Sequence, residues 1–243
     1  MNHVLILGAR SDIARATAAL YARQGYDLYL AARCASELEA FAADLRIRYH
    51  RHIQCIELDV LEYLSHEACY ASFPEKPVGV ICAVGYLGHQ EKAQHDFDEC
   101  RKIIDSNFTG LVSFLNIVAR DFEARQSGFI ICISSVAGDR GRKSNYIYGA
   151  AKAGLTAYLS GLRNRLHKAG VTVMTVKPGF VETKMTQGMP LPPLLTAQPN
   201  KVAQDIFQGQ KKGRDILYTK WIWKWVMIIV RFLPERLFKR LSI

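Results

Sequence analysis

Short apolar runs of strand length recur along the chain with helix-length segments between them, and this alternation narrows the possible folds more than any other feature. The runs lie at residues 4–7, 28–32, 53–58, 78–82, 129–133, 171–176 and 216–218. Four are continuous rather than alternating, as expected of strands covered on both faces of a parallel sheet. Amphipathic stretches at 11–24, 35–48, 97–125 and 148–167 separate them. This order predicts an α/β fold: a single Rossmann-type doubly wound parallel sheet of about seven strands with helices on both faces. The 243 residues suffice for one such domain, residues 1–219, followed by a tail, 220–243.

Ligands of such a sheet lie beyond the carboxyl ends of its strands. Those ends are predicted at Gly8, Arg33, Asp59, Ala83, Ser134-Ser135 and Pro178-Gly179. The first is the turn in "LILGARSDIA", residues 5–14, where a nucleotide-binding loop would carry several glycines. Here Gly8 stands alone, with Asp12 and Ala14 at positions where further glycines could stand. Gly8 permits the tight turn, and amides around Ser11, Asp12 and Ile13 can point at a pyrophosphate from a helix N-terminus. The Asp12 carboxylate would repel that pyrophosphate unless it turns away.

The densest cluster of chemistry-bearing residues is "ISSVAGDRGRKSNYIYGAAKAGL", residues 133–155. Ser135 closes a strand, and Tyr148 and Lys152 follow at helical i, i+4 spacing, which stacks phenol and ammonium on one face. A free tyrosine ionises near pH 10, and a neighbouring cation favours its phenolate, so Lys152 is expected to tune Tyr148 toward acid–base work. Small residues at Gly149, Ala150 and Ala151 are expected to let a cofactor approach the helix.

With Ser135, Tyr148 and Lys152 in this register, the chain resembles the short-chain dehydrogenase/reductase family. The segment "SNFTG", 106–110, matches the stretch that supplies the family's Asn107, and "KPGFVET", 177–183, matches its nicotinamide loop. The resemblance implies an oxidoreductase moving hydride between a nicotinamide and a carbonyl or secondary alcohol. Tyr148 would exchange the proton, Lys152 would tune it and bind ribose, Ser135 would orient the carbonyl, and Asn107 would support a water relay. It further implies cofactor contacts at Gly8, Arg10, Ser11, Asp12, Ile13, Arg33, Asp59, Val60, Ala83 and Gly85, at Tyr148 and Lys152, and at Pro178, Gly179, Val181 and Thr183. The chain departs from the family at the first loop and at Cys82-Ala83-Val84-Gly85, where Asn-Asn-Ala-Gly is usual. Those departures support an alternative, a nucleotide-sensing protein on the same fold with weak catalysis.

Strand two ends "LAARC", without the carboxylate that would meet the 2′-hydroxyl of NAD. Arg33 and Arg10 could hold a 2′-phosphate, so NADP is expected, with NAD as the alternative. Six cysteines without a C-x-x-C pair read as buried free thiols of a reducing compartment, and no metal is expected.

The formal charge is +10, and residues 211–243 hold nine basic side chains against Asp215 and Glu235, a net +7. The sequence "KWIWKWVMIIVRFLPERLFKRLSI" is too short an apolar run to span a bilayer but fits an amphipathic basic helix at a membrane surface, bent at Pro234. A tail folded over the substrate cleft or packed at a subunit interface is the competing expectation. The glycine-poor loop and Trp-rich tail resemble the bacterial reductases of lipid-linked keto-sugars, the decaprenylphosphoryl-2-keto-pentose reductase-like subgroup. A first strand at residue 4 leaves no room for a leader, so a cytoplasmic protein is expected, at the inner face of the membrane if the tail binds it. A homodimer or homotetramer is expected, and nucleic acid is not, because the basic tail carries hydrophobics where a solvated arm should be.

Overall fold

The structure, a computed structural model, describes residues 2–241. The strands are β1 (His3–Leu7), β2 (Asp27–Ala32), β3 (Ile53–Glu57), β4 (Gly79–Cys82), β5 (Phe129–Ile133), β6 (Thr172–Pro178), β7 (Phe180–Val181), β8 (Thr196–Ala197) and β9 (Ile216–Thr219). The helices are α1 (Asp12–Arg23), α2 (Glu39–Tyr49), α3 (His66–Ala71), α4 (Gln90–His95), α5 (Phe97–Ile104), α6 (Gly110–Arg125), α7 (Tyr146–Leu166), α8 (Pro199–Lys211), α9 (Ile222–Phe232) and α10 (Glu235–Phe238). Seven strands form one parallel sheet in the order β3-β2-β1-β4-β5-β6-β9. All seven apolar runs became these strands, while β7 and β8 form a separate parallel pair that periodicity did not reveal.

Residues alternate between two cores along each strand. Val4 and Ile6 pack with Ala18 and Tyr21 of α1 and Ile206 and Phe207 of α8. Leu5 and Leu7 face the opposite layer, with Phe114 and Val118 of α6 and Leu155 and Leu159 of α7. Each large apolar side chain fully buried in this way contributes roughly 1.5–3 kcal/mol, which is why both faces of the central strands are apolar. Sheet order reverses between β1 and β4, and the crevice at that point opens above Gly8 and Ala83. Gly8 has φ +74°, and a β-carbon there would lie 2.8 Å from the Val84 amide nitrogen. Only glycine fits.

Three helix expectations are corrected. The single stretch 97–125 is two helices joined by a wide π-type turn over Asp105–Thr109. Asn107 sits in that turn and donates from Nδ2 to the Ile103 carbonyl at 2.8 Å, so a side chain occupies a carbonyl of the helix. The stretch after β2 starts as a tight turn, Ala35–Leu38, before α2. Pro234 ends the tail helix outright, with α9 stopping at Phe232 and α10 starting at Glu235.

The tail lies on the domain. Trp223 and Met227 are buried against Val136, with Phe180 and Tyr218 alongside. Arg140 donates to the Val230 and Leu233 carbonyls at 2.5 and 2.6 Å, pairs with Glu235, and lies 3.7 Å from the centre of the Phe238 ring. The opposite face of α9 is open: Trp221, Trp225, Ile229 and Phe232 are 57–83% exposed. Among the described residues no helix is long and apolar enough to cross a membrane.

Candidate active site

Two cavities meet at the carboxyl edge of the sheet, of about 530 and 320 Å³. They share Arg10, Ser11, Ala83, Val84 and Gly85, so they form one continuous trough across the switch point. The smaller end is walled by Gly8, Arg33, Asp59 and Val60. The larger holds Asp12, Ile13, Ser135, Tyr148, Lys152, Pro178, Gly179, Val181 and Thr183. Of the catalytic and cofactor-contact residues that the family resemblance implies, Asn107 alone lines neither end.

At the start of α1, Ser11 is the capping residue and accepts the Ala14 amide at 3.3 Å. Asp12 follows as the first helical residue, and its Oδ2 accepts the Lys184 backbone amide at 2.8 Å. The carboxylate is therefore turned toward the loop after β7, and the Asp12 and Ile13 amides have no acceptor among the described residues. Two free N–H groups at a helix N-terminus remain available to an anion.

Ser135 and Tyr148 belong to different elements that touch through backbone. A β-carbon on Gly149 would lie 2.9 Å from the Ala137 carbonyl oxygen, so the small residue at 149 serves helix-to-loop packing. This corrects the expectation that Gly149 makes room for a cofactor. Ala151 is likewise buried, and Ala150 is exposed. Ser135 Oγ accepts the Ala137 amide at 3.1 Å, and its nearness to the Tyr148 phenol favours the ionised form. Burial outweighs that effect and pushes the phenol up to about 12.

The expected lowering of Tyr148 by Lys152 is absent from the described structure. Lys152 Nζ lies 5.7 Å from the Tyr148 ring centre and donates to the Ile133 carbonyl at 3.0 Å, with the Val84 carbonyl at 3.5 Å. It is 2% exposed, and burial pulls its ammonium down to about 8. Beneath it, Cys82 and Cys132 are register partners on β4 and β5, both buried. These two fit the expectation of buried free thiols, whereas Cys55, Cys69 and Cys100 are half-buried and Cys34 is exposed.

Asn107 is fully buried and its amide is committed. Nδ2 donates to the Tyr86 and Ile103 carbonyls at 2.6 and 2.8 Å, and Oδ1 accepts the Tyr86 amide at 3.2 Å. The side chain therefore braces the loop after β4 and has no donor left for a water relay.

At the smaller end, Arg10 does not stand free beside Arg33. Its Nη2 pairs with Glu37 at 2.5 Å, while Arg33 Nη1 is 4.0 Å from Asp59. Sequence reasoning missed Glu37, because a carboxylate five residues beyond the end of β2 carries no motif. It also missed Arg142, Asn145 and Met185 in the larger end, whose positions depend on the path of two loops. Trp223 completes that end, donating from Nε1 to the Leu195 carbonyl at 2.9 Å. The cleft-covering tail was one of the two sequence expectations, and Trp223 occupies that place. Among the described residues no three His, Cys, Asp or Glu side chains gather where a metal ion could be held.

A switch-point trough with Ser, Tyr and Lys at its floor defines a dinucleotide-fold oxidoreductase. The family model for short chain dehydrogenase matches residues 2–191, and the chain belongs to that family. It is 34% identical over 241 residues to an uncharacterized oxidoreductase of Mycobacterium tuberculosis, covering 98% of this chain and 96% of the relative. A serine 3-dehydrogenase of Agrobacterium fabrum is 30% identical over 187 residues, 75% of this chain and 73% of the relative. The fold is similar to a short-chain dehydrogenase from Sphingobium yanoikuyae in complex with NADPH, with TM-score 0.84, 24% identity and coverage of 94% and 92% of the two chains. It is similar also to one from Burkholderia cenocepacia in complex with NADP, with TM-score 0.85, 17% identity and coverage of 100% and 98%.

Proposed function

We propose that this oxidoreductase reduces a carbonyl on a hydrophobic substrate, with NADPH as the hydride donor, and that lipid-linked keto-sugars are the kind of substrate it serves. The observation that carries this reading is the convergence of Ser135, Tyr148 and Lys152 on one trough whose upper wall is apolar, with Leu87, Met185, Met189 and Trp223. The residues fit a dinucleotide. The free amides of Asp12 and Ile13 suit a pyrophosphate, and Arg33, exposed beside Asp59, suits a 2′-phosphate. Asp59, Val60, Ala83 and Gly85 would flank adenine and ribose, and Pro178, Gly179, Val181 and Thr183 the nicotinamide. The NADPH and NADP in the two similar structures support this choice over NAD.

Bound NADPH would supply the hydride. Ser135 and Tyr148 would hold the carbonyl oxygen, and Tyr148 would give it a proton as hydride adds to the carbon. Burial keeps the phenol protonated, which suits reduction. Lys152 would hold ribose and return a proton toward Tyr148, while Asn107 would act by positioning the loop of Tyr86. The tail, 220–243, would seat the enzyme at an anionic membrane surface through the open face of α9; Ser242 and Ile243 lie outside the described residues.

The test is NADPH consumption with a panel of apolar ketones and aldehydes. Turnover with NADPH well above that with NADH is expected. Arg33→Ala should raise KM for NADPH by about ten-fold and leave NADH little changed. An enzyme that prefers NADH would overturn the cofactor assignment, and one that reduces nothing would overturn the whole.

A further inference from the structure

The loop between Ser135 and Tyr148 carries four charged residues: Asp139 and Arg140 have side-chain partners, Lys143 is exposed, and Arg142 has no hydrogen-bonded partner among the described residues. Asp139 accepts from Lys177 Nζ at 2.5 Å and from the Tyr218 hydroxyl at 2.9 Å, and this carboxylate is only 3% exposed. Arg140 holds the end of α9 and Glu235. Arg142 makes no side-chain hydrogen bond and no ion pair among the described residues, yet its Nε is buried. Burial pulls its guanidinium downward from the ordinary arginine range, opposed in part by the nearby charge of Asp139, whose carboxylate is itself bonded to Lys177 and Tyr218.

Asn145 shows the same pattern. It stands where the capping residue of α7 would be, but its side chain makes no capping bond, and its Oδ1 is buried without a partner. The Asn145 amide donates to the Arg142 carbonyl at 3.1 Å, so one turn presents both side chains to the cleft that Tyr148 lines. A buried donor of positive charge and a buried acceptor, both idle, lower the stability of the free protein and are answered by a ligand bearing an acceptor and a hydroxyl. The two carboxylates that line this cleft are engaged: Asp12 with the Lys184 amide and Glu37 with Arg10. The substrate end is therefore positive, with apolar walls.

We propose that Arg142 is the specificity site for an anionic oxyacid group of the substrate, a carboxylate, sulfonate or phosphate placed close to the reacting carbonyl, while Asn145 Oδ1 beside it accepts from a substrate hydroxyl. The substrate is then an amphiphile, with its apolar part against Met185, Met189 and Trp223. This rests on the carbonyl-reductase reading above and narrows it.

The test compares 4-carboxybenzaldehyde and 4-formylphenyl phosphate with the neutral methyl 4-formylbenzoate, using the full chain and NADPH. Wild type should favour the anions in kcat/KM by about ten- to hundred-fold. Arg142→Gln should erase that preference through KM and leave the ester within about two-fold, and Arg142→Lys should restore part of it. Preference for one anion over the other identifies carboxylate or phosphate as the better match. Equal losses on anion and ester, or no preference in wild type, would overturn the proposal while leaving the reductase reading intact. A readout without turnover comes from Trp221→Phe/Trp225→Phe, where Trp223 is the remaining tryptophan. Hexanoate should change its emission saturably and hexanamide should not, and Arg142→Gln should abolish the response. That result without any carbonyl reduction would sustain the anion site and defeat the reductase reading; no difference between the two probes would defeat the site.

Discussion

The Asp12 carboxylate accepts the backbone amide of Lys184, tying the first turn of α1 to the loop that follows β7 across 172 residues of sequence. A negative side chain at the phosphate end of the trough is thereby directed sideways, and the same bond holds the loop that closes the larger cavity. Asp12→Ala should loosen the loop and raise KM for NADPH by about three- to ten-fold, with kcat changing less. Steady-state kinetics at saturating carbonyl substrate check this. A tighter KM would mean that the carboxylate repels the cofactor and that the tie has no functional weight.

Tyr148→Phe removes the proton donor and keeps the ring. Turnover should fall by about 10²–10⁴-fold. NADPH affinity, read by fluorescence titration, should stay within about two-fold because the phenol is not what holds the phosphates. Substantial residual activity would refute the assignment of this residue.

Lys152 is buried with its ammonium held down to about 8, below its value in an unfolded chain. In the native state the charge is therefore disfavoured, and the unfolded chain binds more protons between about pH 8 and 10.5. Wild-type stability should be lowered by this group in full below pH 8 and should recover as pH rises through that window. The effect is on the order of 3 kcal/mol. Lys152→Met should be more stable than wild type at pH 7, with the difference shrinking by pH 10. Urea unfolding at several pH values tests it, and a pH-independent difference would be inconsistent with a buried ammonium.

The indole of Trp223 covers Gly179 so closely that a β-carbon there would fall 1.9 Å from Cε2. Gly179→Ala should push α9 off the cleft at a cost of about 1–3 kcal/mol. Tryptophan emission should shift to longer wavelength and the tail should become protease-sensitive. If the variant unfolds like wild type, the tail does not dock as described.

The open face of α9 sets Trp221, Trp225, Ile229 and Phe232 outward, beside Lys224 and Arg231. The 243-residue chain should co-sediment with phosphatidylglycerol-containing vesicles and release at high salt. Trp225→Glu/Ile229→Glu, which leaves the buried Trp223 and Met227 in place, should abolish sedimentation without loss of Tm. Identical sedimentation of the two proteins would count against a membrane-facing helix. A second copy of the chain is a poorer occupant of this face, because a two-fold contact would bring the same cations together.

Strand positions, the doubly wound order and the Tyr148–Lys152 spacing were all legible in the sequence, because both-face burial and helical stacking are written in local periodicity. So were many of the residues that line the trough, through motifs at strand ends, but not Glu37, Arg142, Asn145 or Met185. What only tertiary structure decided were facts about partners distant in the chain. The direction of Asp12, the engagement of Arg10 by Glu37, the committed amide of Asn107 and the idle guanidinium of Arg142 each depend on which loops meet. The state of Tyr148 shows the reason most plainly: spacing alone suggested a phenol lowered by its neighbouring ammonium, but desolvation in the folded site acts on both groups and drives them the other way, to about 12 and about 8. Local pattern fixes which residues share a face; the surrounding dielectric and distant partners fix what those residues can do.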